Sequence, residues 1–517
     1  MTDLLSRFWI AMPIFYALTV WGLIAGFRRG GVPAESRTLR ALLAGLPVML
    51  CLFIAWRIIV AVCEAPGAPG QFASLEMGLA LVFLPCSSAL TGVVLARRQR
   101  TNAVERGTLI IDHRAEKPHA RRPGDISLAG HLMSPNDETK HFKIIGTTGT
   151  GKSTAITEIL SGALARGDRA IIADSDGSYA RQFYNPARGD VILNPFDSRA
   201  ARWDLFAEIV EPHDADQLAR SLIPDYDGQD RNWRNYARTF LTATLRQIHR
   251  TSERNLDSLY SVLVKASEDD LRELLEGTPA APFVAKDNGK FLGSVRSIAM
   301  QHLAVVEHLM RQTEGEALSI RKWIREGRGV LFLPYGANQI ASLRNVISTW
   351  MRLAIFETLS LEERDHRFWF VVDELEALGA IDGLKDALTR LRKFGGRCVL
   401  GFQSIAQVRG TYGDTEAQTI VENCGNTVIL RCSASERGGT AEFASRLIGK
   451  REVTRQQLSH SRPRKPLGFL NQTRTVTDQI TTEDAVMASE IEQLPDLSGF
   501  LKMASRPEWY RITLYRG

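Results

Sequence analysis

Gly146-Thr147-Thr148-Gly149-Thr150-Gly151-Lys152-Ser153, followed by Thr154, decides how the rest of this 517-residue chain is read. The stretch fits G-x-x-x-x-G-K-[ST], the loop whose backbone N–H groups cradle the phosphates of a nucleotide. Its surroundings agree. His141-Phe142-Lys143-Ile144-Ile145 reads as a short buried strand, and Ser153 to Arg166 carries Ile156, Ile159, Leu160 and Leu164 at helical spacing. The loop therefore feeds a helix N-terminus, whose aligned peptide dipoles favour an anion. In such a loop the glycines let the backbone close on phosphate. Lys152 reaches the β- and γ-phosphates of ATP, and Ser153 offers its hydroxyl to Mg2+. A chance match in a chain with 41 glycines is the bland alternative, and the strand–loop–helix context weighs against it.

A partner motif lies far downstream. Phe368-Trp369-Phe370-Val371-Val372-Asp373-Glu374 is an apolar strand ending in two carboxylates. In a nucleotide hydrolase, an aspartate there holds the magnesium shell and a following glutamate polarises the attacking water. Arg397-Cys398-Val399-Leu400-Gly401-Phe402-Gln403 is a second strand, and its terminal amide either senses the γ-phosphate or simply caps the strand. Arg392, in Leu391-Arg392-Lys393-Phe394, is a candidate arginine finger for a neighbouring subunit's site; packing or DNA contact is the alternative. Arg344 is a second, weaker candidate. The ten histidines form no metal-ligand spacing, and no serine has a recognisable His and Asp partner set.

Short apolar runs recur at Arg169–Asp174, Val191–Leu193, Gly329–Pro334, Phe368–Asp373, Arg397–Phe402 and Thr427–Arg431, with helical segments between them. That pattern predicts an α/β fold with a mostly parallel sheet covered on both faces. Residues 205–295 interrupt it. Trp233, Phe240, Leu241, Leu245 and Ile248 share one helical face there, and nothing reads as a strand. The expected organisation is an anchor at 1–96, a linker with a small β element at 97–140, a nucleotide-binding domain at 141–204 and 296–517, and an inserted all-α domain at 205–295. Residues 450–485 read as loop-rich.

The anchor follows from uneven hydropathy. Residues 9–27, 41–63 and 75–96 are each close to the ~20 apolar residues that cross a bilayer. Arginines follow the first run (Arg28, Arg29, Arg37, Arg40) and the third (Arg97, Arg98, Arg100), whereas residues 64–74 hold no Lys or Arg. The positive-inside rule then places the N-terminus outside and everything after 97 in the cytoplasm, with two spans as the rival to three. Arg57, inside the second run, is read as snorkelling to the outer face. The net charge of +6 is mild and the six cysteines show no C-x-x-C pairing, so reduced structural thiols are expected rather than zinc.

Five stretches in order carry a family resemblance: residues 126–154 (ISLAGHLMSPNDETKHFKIIGTTGTGKST), 166–177 (RGDRAIIADSDG), 191–197 (VILNPFD), 368–379 (FWFVVDELEALG) and 386–413 (DALTRLRKFGGRCVLGFQSIAQVRGTYG). The chain resembles the TraD/TrwB-type coupling proteins of conjugative type IV secretion systems, relatives of the FtsK and HerA motor ATPases. The resemblance implies a RecA-like P-loop fold and a hexameric ring on the bacterial inner membrane. It implies an ATPase that passes DNA, single- or double-stranded and without strong sequence preference, from a relaxase-bearing relaxosome to the type IV secretion channel proteins. It assigns residues 146–154 and Asp373 to nucleotide, Ser153 and Asp373 to Mg2+, and Glu374, Arg392 and Gln403 to catalysis. Two rival functions stay open on sequence: a nucleotide-binding membrane adaptor that recruits substrate without moving it, and an FtsK-like double-stranded DNA translocase.

Overall fold

A computed structural model describes residues 2–29, 34–63, 85–94, 104–112, 124–224, 228–312, 314–362, 367–435, 439–461 and 473–515. The chain divides into two compact units, one of residues 1–106 with 452–483 and the other of 107–451 with 484–517.

In the first unit, helices α1 (Thr2–Arg29) and α2 (Ala34–Cys63) pack side by side, and residues 85–94 are also helical. Contact with that third stretch runs through glycines. A Cβ added at Gly26 would sit 2.2 Å from Ala89 O, and one at Gly22 would sit 2.0 Å from Ser88 Oγ. Tyr16 Oη donates to Leu42 O at 2.9 Å, tying α1 to α2. Among the described residues no helix is long and apolar enough to cross a membrane. The expected runs 9–27 and 41–63 lie within α1 and α2, whereas 75–96 lies only partly within the described residues, and the 64–74 loop, the Arg57 side chain and the arginines at 97–100 lie outside them. Val104–Gly107, Lys450–Ser461 and Thr473–Asp484 form a three-stranded sheet. The loop-rich expectation for 450–485 is therefore corrected. Those strands are polar on both faces, and an apolar-run criterion passes over such strands.

The second unit is built on a ten-stranded sheet. Its strands are β1 (Ile110–Asp112), β2 (Phe142–Ile145), β3 (Arg169–Ser175), β4 (Val191–Ile192), β5 (Val330–Tyr335), β6 (Phe368–Val372), β7 (Gly396–Phe402), β8 (Asn426–Ile429), β9 (Ser498–Lys502) and β10 (Trp509–Thr513). The spatial order is β1-β10-β9-β8-β2-β7-β6-β3-β5-β4. From β8 to β4 all pairings are parallel; β9 alone runs against the rest. Both faces are buried, so successive strand residues enter opposite cores. Phe368, Phe370 and Val372 join one cluster while Trp369 and Val371 join the other. The helix after the β2 loop, α3 (Lys152–Ala165), packs Ile156, Ile159 and Leu160 on the second of these cores. The short α4 (Ser178–Phe183) follows β3.

Between β4 and β5 the chain makes helices, chief among them α5 (Pro212–Leu222), α6 (Arg231–His249) and α7 (Gly289–Leu303). Phe240, Leu241, Leu245 and Ile248 of α6 are buried against the first core. After β5 comes the long α8 (Ile340–Leu359); after β7 come α9 (Ile405–Tyr412) and α10 (Asp414–Asn423). The amino ends of the central strands β6 and β7 are tied by a buried ion network. Glu138 accepts from both Nη atoms of Arg166, at 2.9 and 2.8 Å, and from Arg397 Nε at 3.0 Å. Asp168 accepts from Trp369 Nε1 at 2.9 Å.

Candidate nucleotide-binding site

The 146–153 loop leaves β2 at its carboxyl end and enters α3 through Gly151, whose φ of +116° suits glycine alone. The loop is pinned from two sides. Thr147 N donates to Arg431 O at 2.9 Å, and Leu497 N, just before β9, donates to Thr150 O at 2.9 Å. Leu497 Cδ2 lies 2.9 Å and Leu514 Cδ1 3.1 Å from where a Cβ at Gly151 would stand. Thr148 and Gly149 are exposed at the loop's crest, and nothing lies within 4 Å of a Cβ built on Gly149. Thr150 is buried and turns its hydroxyl back to Thr147 O at 2.7 Å, whereas Thr154 is half-buried in the first turn of α3.

Lys152 Nζ donates to Gly146 O at 2.9 Å and to Thr147 O at 3.3 Å. Burial lowers its pKa, and the Asp373, Glu374 and Glu376 carboxylates pull the other way. The ammonium is thus a half-desolvated cation inside a loop of backbone dipoles, suited to a phosphate.

The neighbouring strand ends complete the site. Ser153 Oγ donates to Asp373 Oδ2 at 3.0 Å. Asp373 is buried at the end of β6, its pKa raised by that burial, and its Oδ1 has no hydrogen-bond partner. A buried carboxylate oxygen left open beside a serine hydroxyl fits a hydrated Mg2+. Tyr179 Oη is buried next to Ser153 and Asp373 without a partner in good geometry. Asp174, at the end of β3, accepts from Ala180 N at 2.7 Å and Tyr179 N at 3.2 Å; burial, reinforced by Asp373, pushes its pKa up to about 6.

Gln403, at the end of β7, bridges the two motifs. Its Oε1 accepts from Thr148 Oγ1 at 2.9 Å and its Nε2 donates to Glu374 Oε1 at 2.6 Å. Its backbone N–H is taken by Glu376 Oε1 at 2.9 Å. Glu374, Glu376, Gln403 and Arg344 line a common cavity of about 400 Å3. Sequence reading missed Glu376, Asp174 and Tyr179. Glu376 stands two residues past Glu374 within the quoted motif, and that spacing is the signal that could have found it.

Arg392 is elsewhere. It lies on a short 3-10 turn (Leu391–Phe394) ahead of β7, so the length of that strand, roughly 20 Å, separates it from Gln403. It is exposed, with Nη2 3.4 Å from Asn136 Oδ1. The loop, Asp373, Glu374 and Gln403 are thus brought together, and Arg392 is not. The free cysteines Cys398, Cys424 and Cys432 are buried, and no metal-holding group of His, Cys, Asp or Glu occurs among the described residues.

Residues 125–515 match the family model described as the type IV secretion-system coupling protein DNA-binding domain. The chain belongs to the type IV secretion-system coupling protein family. Among coupling proteins, it is 30% identical over 426 residues to the coupling protein TraD of Escherichia coli (strain K12), covering 79% of this chain and 57% of TraD. It thus spans little more than half the length of that relative. Among solved structures, it is similar to the unbound bacterial conjugative coupling protein TrwBdeltaN70 (TM-score 0.69, 30% identity, 80% of this chain and 94% of that one). The plasmid coupling protein TrwB in complex with ADP and Mg2+ matches as well (TM-score 0.68, 31% identity, with the same coverage). The α/β fold with its large, mostly parallel sheet is that of these coupling proteins.

Proposed function

We propose that this chain is a membrane-anchored ATPase that moves DNA, linking a relaxosome to a type IV secretion channel in conjugation. One observation carries the reading. Thr148, Gln403 and Glu374 form a continuous hydrogen-bonded chain from the phosphate loop to the acid that follows Asp373. A group arriving at the loop crest is thereby sensed at the carboxylate that must accept a proton from water.

In this reading the loop amides and Lys152 would hold the phosphates of ATP, and Ser153 with Asp373 would hold Mg2+, which when bound would offset the negative charge of the phosphates during phosphoryl transfer to water. Glu374 takes the proton of the attacking water. Gln403 fixes that carboxylate by its 2.6 Å bond. Arg392, exposed at the opposite end of the strands, is too far from its own subunit's loop to serve it and in this reading completes a neighbouring subunit's site in a homo-hexamer. Mg2+ and nucleotide in the TrwB complex support the cofactor assignment for this chain.

The anchor has support of its own. Trp21, Leu39, Leu43 and Leu90 are 62–73% exposed on the N-terminal helices, while glycines fill the contacts between them. Helices that are apolar outside and small-residued inside suit lipid rather than water. We place the chain in a bacterial inner membrane, multi-pass, with the nucleotide site in the cytoplasm and the domain limits stated from sequence. The adaptor and FtsK-like readings would share that anchor; the Thr148–Gln403–Glu374 chain is what favours hydrolysis over a passive adaptor.

The test is ATP hydrolysis by the full chain in detergent, with and without single- and double-stranded DNA, for wild type, Glu374→Gln, and Arg392→Ala mixed into wild type. Turnover stimulated by DNA, lost in Glu374→Gln and poisoned by small fractions of Arg392→Ala, is expected. Turnover indifferent to DNA that falls only in proportion to the variant added would replace the motor by an adaptor.

A further inference from the structure

A large cleft in the second unit is remote from the nucleotide loop. About 1270 Å3 in volume, it is lined by α5, α6, α8 and the turn at residues 276–279. Arg220, Arg231, Arg238, Arg246, Arg250 and Arg352 face it, against three carboxylates, Asp216, Glu276 and Asp382. Two of those acids are engaged: Asp216 by Arg246, and Asp382 by Arg352 at 3.0 Å. Arg238 is buried and fixed, Nη1 donating to Asn235 Oδ1 at 3.1 Å. Arg352 is buried as well, its Nη1 donating to Gln217 O at 2.7 Å. The side chains of Arg220 and Arg231 are exposed and make no hydrogen bond or ion pair with the described residues.

Positive charge is therefore in excess, held in place by buried arginines and left open by exposed ones. The balance is felt at Arg352, whose pKa is lowered first by burial, with Arg220 lowering it further against the opposing pull of Asp382. Guanidinium forks select carboxylate or phosphate. Three features choose between them. No Phe, Tyr or Trp lines the cleft, and the exposed His213 is its one aromatic ring, so successive bases of a single strand find no row of stacking platforms. The Arg246–Asp216 and Arg352–Asp382 pairs demonstrate how this wall receives a carboxylate. Gln217, Asn235 and Gln247 on the lining offer amides that both donate to and accept from a peptide main chain.

We propose that this cleft docks an acidic polypeptide segment, an Asp/Glu-rich stretch of a partner protein. It is a recruitment surface separate from the nucleotide site and stands whether or not the chain hydrolyses ATP.

The experiment titrates the full chain in detergent with a fluorescein-labelled oligoglutamate peptide, read by anisotropy at low and high salt. Labelled single- and double-stranded oligonucleotides are run in parallel. The variants are Arg220→Glu with Arg231→Glu, and the conservative Arg220→Lys with Arg231→Lys. Binding of a fluorescent nucleotide checks that each variant is folded. Salt-sensitive oligoglutamate binding that weakens about tenfold or more in the glutamate variant and is largely kept in the lysine variant is expected. Two results overturn the proposal: oligoglutamate that fails to bind wild type, or that binds a folded glutamate variant equally well. A third does so too: oligonucleotide binding lost in the glutamate variant while oligoglutamate binding persists would make the cleft a nucleic-acid surface.

Discussion

Gln403 Nε2 stands 2.6 Å from Glu374 Oε1, and the same side chain accepts from Thr148 at 2.9 Å. An amide that donates to the base and accepts from the loop has no freedom to flip, so its orientation is set by both neighbours at once. Replacing Gln403 by Ala is expected to lower kcat about 10²-fold with little change in KM. Thr148→Val combined with it should cost less than the two losses together, because the residues share one network. Steady-state ATPase kinetics on the four proteins decide it; full additivity would mean that the chain of bonds is idle.

Ser153 and Asp373 predict a selective loss. Ser153→Ala removes a hydroxyl and leaves the loop backbone intact. Binding of a fluorescent nucleotide should remain, while the tightening produced by Mg2+ shrinks about 10- to 100-fold. Titrations with Mg2+ and with EDTA separate the two terms. Equal Mg2+ dependence in variant and wild type would remove Ser153 from the metal shell.

His141 predicts a pH effect. Its ring is buried, Nδ1 accepting from Cys398 N at 3.0 Å and Nε2 lying 3.0 Å from Leu388 O, and burial lowers its pKa to about 4. The folded form therefore binds fewer protons than the unfolded chain between the ordinary value near 6.5 and about 4. Stability from this residue is present above that window and is lost as pH falls through it. Asn tolerates the left-handed backbone at this position (φ +56°), so His141→Asn is the probe. It should lose roughly 1–3 kcal/mol at pH 7.5 and decline less steeply in acid than wild type, as read by urea denaturation.

Glu138 sits under two guanidinium groups with its side chain almost fully buried. Removing its charge strands Arg397, which is buried beside it. Glu138→Gln is expected to destabilise the second unit by about 3–5 kcal/mol. A thermal midpoint within a degree or two of wild type would show that the network contributes little.

Gly26 carries the prediction for the N-terminal helices. Leu at this position meets Ala89 O and Gly92 directly. Overpacking of about 1–3 kcal/mol should open the α1 contact and raise trypsin sensitivity of the detergent-solubilised chain, whereas Leu43→Val, on an exposed surface, should not. Equal digestion of all three proteins would mean that the close approach is dispensable.

The central strands were legible because a parallel sheet buried on both faces writes itself as continuous apolar runs, as in Phe368–Val372. The loop was legible because phosphate binding constrains glycine, lysine and serine spacing together. The strands at Ser498–Lys502 and Trp509–Thr513 were not found, because Ser498, Lys502, Arg511 and Thr513 interrupt the apolar runs by which the other strands were recognised. The arginine cleft was invisible for a different reason. Its charges are scattered between residues 220 and 352, and only helix packing collects them. The third carboxylate, Glu376, was overlooked because its contact is with a backbone N–H on another strand.

The support that Leu497 and Leu514 give to Gly151 sets an order of events during synthesis. The phosphate loop emerges from the ribosome more than three hundred residues before its buttress does. Until Leu514 is released, the nascent chain holds the whole nucleotide motif without its final shape. Premature nucleotide capture is thereby disfavoured until the chain has been made through Leu514.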